Sequence, residues 1–249
     1  MTVLLLHGLV RRGAPLPDDA VPHLRVDACN LIALATEAPE GFHEAEPEAS
    51  LAAAVRHHEL LSAYALQGDV LPVRLGSAFS GADSLSAALA SRRAAFAAGL
   101  DRLTGKVEYL LSLAVAPTPL EIGGPAPHAS GRSFLAEKRA ARDRLRGLAA
   151  RRQALLGEIP GLLAPVTSDC RPIPVQGRDD LARFSCLVER GEQPGLLRAA
   201  RALGTRAGTL GLGLTLRGPG PCYGVTADDR TDAVSGGAAN QWKAKQGHG

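Results

Sequence analysis

The order of apolar segments after Gly105 constrains this chain more than any other feature. Lys106 to Ala116, Val166 to Val175, Ala182 to Glu189 and Thr209 to Arg217 are strand-length apolar or alternating runs. Between them, 132–156 and 194–208 keep apolar residues at helical spacing. The resulting β-α-β-β-α-β order is that of the split βαβ or ferredoxin-like arrangement, a sheet with both helices on one face. Pro172 and Pro174 cannot donate to a sheet ladder, so the strand that holds them belongs at an edge or a bulge. In the first helix Phe134, Ala141, Leu145, Leu148, Leu155 and Ile159 form the apolar spacing, while Lys138, Arg139, Arg142, Arg144, Arg146, Arg151 and Arg152 give it a basic face. Pro194 and Gly208 bracket the second helix.

The first hundred residues follow a different order. A strand is expected over 3–10, two more over 24–27 and 30–36, and a loop over 39–47, where the chain is acidic and carries Pro and Gly. Leu51, Val55, His58, Leu61 and Ala65 predict an amphipathic helix over 48–67, ended by Gly68. In the strand that follows, Leu71, Val73 and Leu75 share one face and Arg74 takes the other. A single Ala-rich helix runs from Asp83 or Ser84 to about Arg102, and the turn at Thr104 and Gly105 marks a boundary. The expected architecture is therefore α+β with two domains. Residues 1–104 make a small mixed sheet with helices, 105–225 a modified ferredoxin-like domain, and 226–249, which lacks periodicity, a mobile tail.

Composition excludes several classes. Of the 249 residues 45% are hydrophobic and 21% charged, enough to bury a sizeable core. No stretch approaches the 18 or so apolar residues of a membrane span. Arg11 and Arg12 follow the first apolar run where a secretory signal would have its basic residues first, so a cytoplasmic location is expected. A net charge of +3 is too small to argue for nucleic acid. Cys29, Cys170, Cys186 and Cys222 form no C-x-x-C pair, which argues against structural zinc and against a disulfide framework and leaves buried thiols as the expectation.

Catalytic motifs are missing as well. Gly99 to Lys106 is one residue too long for a phosphate loop, and Val107 stands where Ser or Thr would meet magnesium. No G-x-S-x-G, H-E-x-x-H or G-x-G-x-x-G occurs. His57 and His58 lie about 100° apart around a helix and cannot both serve one metal without distortion.

Several segments together carry a family likeness: Leu5-Leu6-His7-Gly8-Leu9-Val10; His57-His58-Glu59 through Val70-Leu71-Pro72-Val73-Arg74-Leu75-Gly76-Ser77-Ala78-Phe79; Leu103 to Tyr109 with Gly105; Gly131-Arg132-Ser133-Phe134-Leu135; and Leu216 to Tyr223. The chain resembles the gas vesicle protein L/F (GvpL/GvpF) family of accessory proteins over residues 1 to 225. The second segment looks like the family's His followed by L-P-V-R-F-G-T-x-F. Leu75 stands where the family usually has Phe, Gly220 where it has Trp, Cys222 where it has Pro, and Val225 where it has a final aromatic.

The resemblance implies a two-domain α+β protein with a role in building gas vesicles and no enzymatic activity. It implies binding of the small, hydrophobic major shell subunit and of other accessory proteins, in the cytoplasm or at the gas vesicle. No cofactor, metal, membrane, nucleic acid or small-molecule substrate is expected. Candidate partner contacts are Arg74, Phe79, Arg139, Arg142 and Arg146, although Arg74 equally suits a structural salt bridge and Phe79 suits packing. Leu71, Pro72, Gly76, Gly105 and Tyr223 are expected to shape the fold. Two other classes stay open. One is an RNA-binding module that uses the basic helix over 132–156; the other is a small-molecule enzyme with His58 or Glu108 as acid or base.

Overall fold

A computed structural model describes residues 2–18, 21–38, 47–116, 131–175, 177 and 179–224. The loop expected at 117–130 and the tail at 226–249 lie outside them. The chain forms two compact units: residues up to Glu108 together with the described residues from Gly218 onward, and Tyr109–Arg217.

The first unit holds a four-stranded antiparallel sheet in the order β2-β3-β1-β4, with β1 Leu4–Arg11, β2 Leu24–Ala28, β3 Leu31–Glu37 and β4 Leu71–Phe79. Cys29 and Asn30 join β2 to β3 as a two-residue turn, both at positive φ (55° and 67°), the geometry that continues the twist of a hairpin. Every residue of β1 from Leu4 to Val10 is buried. Successive side chains point to opposite faces, so both faces of this central strand are covered.

Helix α1 (Pro47–Gln67) covers one face. It does so through His57, Leu60, Leu61, Tyr64 and Ala65, a stripe at i, i+3, i+4, i+7 and i+8. This corrects the expected face: Leu51 (66% exposed) and Val55 (47%) point outward, as does His58. The Leu60–Leu61 pair, which buries completely, sets the rotation. Gly8 is required where β1 approaches α1, because a β-carbon there would sit 2.5 Å from Leu61 Cδ2 and 3.0 Å from the carbonyl oxygen of Leu71.

The expected single helix after β4 is two, α2 (Ala82–Ser91) and α3 (Arg93–Leu103). The break is at Arg92, whose φ of −119° and ψ of 15° leave the helical region, and whose guanidinium lies over the Phe96 ring.

The second sheet has the order β6-β7-β5-β8, from β5 Lys106–Val115, β6 Asp169–Ile173, β7 Asp180–Glu189 and β8 Leu212–Gly220. Helix α4 (Gly131–Leu163) lies between β5 and β6, and α5 (Gln193–Gly208) between β7 and β8. The β-α-β-β-α-β order is as expected, and Pro172 sits on β6, an edge strand. α4 extends past the expected end, and its apolar positions do not all bury. Leu155, Ile159 and Leu163 are buried, whereas Phe134, Leu135 and Leu145 are exposed, Leu145 at 68%. No described helix is long and apolar enough to cross a membrane.

Candidate functional site

Two features of the first unit distinguish it from a plain sheet-and-helix sandwich. The first is β4. Its pairing with β1 jumps from Gly8 opposite Pro72 to Leu6 opposite Ser77, so Val73, Arg74, Leu75 and Gly76 bulge out of the ladder opposite His7. Gly76 takes φ +90°, a conformation that L side chains rarely adopt, and Ser77 Oγ closes the bulge by donating to the Arg74 carbonyl at 2.8 Å. The expected alternation is corrected here. Leu71 and Pro72 are buried, but Leu75 is 38% exposed and shares the exposed apex with Arg74. The insertion breaks the period of two.

The second feature is a buried polar cluster. His7 Nδ1 lies 3.0 Å from His57 Nδ1, and His7 Nε2 lies 2.9 Å from Thr36 Oγ1. Burial, followed by the neighbouring His57, lowers the pKa of His7 to about 4; burial, followed by His58, does the same for His57. At neutral pH both rings are uncharged, so one proton lies between the two Nδ1 atoms and the Thr36 hydroxyl adapts as donor or acceptor.

The chain's last described residues close over this cluster. Tyr223 stacks on His57 (centroids 6.1 Å apart) and on His58 (6.0 Å), and its hydroxyl lies 3.3 Å from His58 Nδ1. The Gly224 N–H donates to both carboxylate oxygens of the buried Glu108, at 3.1 and 3.0 Å. Burial, and then Glu108, keep the Tyr223 phenol well above its usual pKa. These contacts can fasten the segment to α1 through the Tyr223 ring and to Glu108 of β5 through the Gly224 amide. Among the described residues no group of three or more His, Cys, Asp or Glu side chains is placed to hold a metal.

The sequence-derived residues are spread over both units. Arg74 is exposed on the bulge, and Phe79 is buried at the end of β4 opposite Leu4. Arg139, Arg142 and Arg146 are exposed on α4, Arg146 lying 3.9 Å from Asp143. Gly105 takes φ +71° in the turn before β5, where its N–H donates to Asp69 Oδ1 at 2.9 Å. His58 and Glu108 both reach the C-terminal segment, one through the Tyr223 hydroxyl and the other through the Gly224 amide. Sequence reasoning missed His7 and His57. The signal was present as a histidine inside the run Leu4 to Val10 and another at the head of the 57/60/61/64/65 stripe.

Comparison with known proteins gives a family for the sequence and relatives for the fold. The model of the gas vesicle synthesis protein GvpL/GvpF family matches residues 16–224. The fold is similar to the crystal structure of the gas vesicle protein GvpF from Anabaena sp. PCC7120, with a TM-score of 0.64 and 13% identity over 91% of this chain and 96% of that one. It is also similar to GvpF from Microcystis aeruginosa, with a TM-score of 0.63 and 14% identity over 90% of this chain and 98% of that one. No curated protein sequence matches the chain. With the family model spanning most of its length, the chain belongs to the gas vesicle GvpL/GvpF family.

Proposed function

We propose that this protein is a gas vesicle accessory protein that binds the hydrophobic major shell subunit and other accessory proteins, and so supports assembly of the shell. It would act in the cytoplasm and at the gas vesicle, without nucleotide, metal, nucleic acid or membrane. Family membership supports the gas vesicle setting. The binding mode rests on one observation: the family-signature segment lies on β4, an edge strand of its sheet, with Arg74 and Leu75 raised beside it on the bulge. A small apolar subunit with unpaired strand edges aggregates unless those edges are covered, and strand addition to a sheet edge covers them. β6, one edge of the other sheet, carries Pro172 just as β4 carries Pro72, so proline does not separate the two edges and the choice of β4 rests on the signature segment and its exposed bulge. The β6-β7-β5-β8 order supports a modified ferredoxin-like fold for the second domain.

The test is co-expression of the tagged full chain with the major shell subunit, followed by pull-down from the soluble fraction at low and high salt. Recovery of soluble subunit at both salts is expected. Arg74→Ala should cut that recovery several-fold while moving the melting temperature by no more than a few degrees, since the side chain is exposed. Absence of subunit at both salts removes direct capture. Recovery lost at high salt moves the contact to Arg139, Arg142 and Arg146, and salt-sensitive retention on RNA in place of the subunit would support an RNA-binding module instead.

A further inference from the structure

We propose that Cys170 and Cys186 form a reversible disulfide site across β6 and β7, oxidised by low-molecular-weight disulfides and reduced by small dithiols. The strand register places the two cysteines directly opposite each other in an antiparallel pair, where side chains share one face of the sheet. Their sulfurs are 3.5 Å apart. A disulfide needs about 2.05 Å between sulfurs and Cβ atoms about 3.5 to 4.5 Å apart, so closure asks for a movement of roughly 1.5 Å at the sulfurs. β6 is suited to give that movement. It is a five-residue edge strand, and two residues beyond Cys170 it holds Pro172, which lacks a ladder donor.

The two thiols are not equivalent, and their difference sets the order of reaction. Cys186 is fully buried, whereas Cys170 is half-buried and is the sulfur that a small oxidant can reach. The hydrogen bond from Cys186 favours the Cys170 thiolate and lowers its pKa, against the opposing effects of burial and of the Asp169 charge. Arg171 offsets that charge by donating from Nε to Asp169 Oδ2 at 2.7 Å.

In the first step the Cys170 thiolate attacks one sulfur of a disulfide RSSR. A Cys170–SR bond forms, the S–S bond of RSSR breaks, and RS⁻ leaves. In the second, Cys186 gives its proton to solvent and its thiolate attacks Cys170 Sγ, expelling the second RS⁻. Two protein thiols are thereby oxidised by two electrons, and RSSR is reduced to two RSH. The absence of a C-x-x-C pair hid this site in the sequence, because sixteen positions separate the cysteines and only the hairpin register joins them.

The experiment needs no substitution for its main readout. The full chain is equilibrated in buffers of varied oxidised-to-reduced glutathione ratio, quenched with acid, alkylated after denaturation and digested without reductant. Expected is the loss of alkylation at both Cys170 and Cys186, with their peptides joined and two hydrogens lighter, and full return with dithiothreitol; the exposed Cys29 is scored separately, as a glutathione adduct. Cys186→Ser should instead trap a glutathione adduct on Cys170, and Cys170→Ser should leave Cys186 reduced. Three results would overturn the site: both thiols still alkylated under the most oxidising buffer, Cys170 held as an adduct while Cys186 stays alkylatable in the unsubstituted chain, or a link from Cys170 to Cys29 or Cys222.

Discussion

The facing imidazoles of His7 and His57 make stability depend on pH in a defined direction. Each ring has its pKa lowered from 6.5 to about 4 in the folded protein, so between those values the unfolded chain binds protons that the folded chain refuses. Their contribution is whole above pH 6.5 and shrinks as the pH falls toward 4. For one such histidine the loss at pH 5 relative to pH 7.5 is on the order of 2 kcal/mol. Urea unfolding of the full chain at the two pH values should show a midpoint clearly lower at pH 5. His57→Gln, which retains polarity but cannot titrate, should flatten that difference by about half. An unchanged slope in the variant would mean that the proton uptake belongs to other groups. A histidine in an apolar run carries this information in the sequence only as an anomaly, because its partner lies fifty positions away.

At the scale of elements, the two halves of α4 should respond very unequally to truncation of an apolar side chain. Ile159 is fully buried and Leu145 is 68% exposed, although both fit the same helical spacing. Ile159→Ala should cost about 2 to 5 kcal/mol, and Leu145→Ala less than about 0.5 kcal/mol, in chemical denaturation. Comparable losses would place the first half of the helix against a packed surface. The pair also shows what was legible. Periodicity located the helix, but which stretch of its stripe meets a sheet depends on tertiary contacts that period alone does not encode. The same reason explains α1, where counting Leu51 and Val55 in the stripe turned the face away from Leu60 and Tyr64. The bulge of β4 was illegible for a different cause. A period of two assumes an uninterrupted ladder, and only Gly76, as a residue suited to positive φ, hinted at the interruption.

For the whole molecule, the informative fact is that the chain returns. Helix and strand order from β5 to β8 was readable along the sequence, whereas the packing of Gly218 to Gly224 with the first unit joins residues more than a hundred positions apart and has no local signature. Tyr223 is the residue that fastens the return, through its stack on His57 and His58 and its packing against the cluster of Val10, Ile32, Leu34, Leu60 and Leu61. Tyr223→Ala removes a half-buried ring, and a loss of about 2 kcal/mol follows from the apolar area alone. That loss should be local in hydrogen exchange. Amides of α1 and β1 are expected to exchange faster by roughly tenfold or more, since each 1.4 kcal/mol is a factor of ten where opening limits exchange. Amides of α5 and β7, whose packing involves Leu196, Leu203 and Phe184 within the second unit, should keep their protection. Tyr223→Phe separates the ring from its hydroxyl, because it keeps the stack and removes the group that meets His58 and feels the Glu108 charge. It should recover most of the protection in α1. Equal loss of protection in α5 would show that the two units open together, and in that case the C-terminal return stabilises the molecule as one cooperative body instead of fastening its first unit.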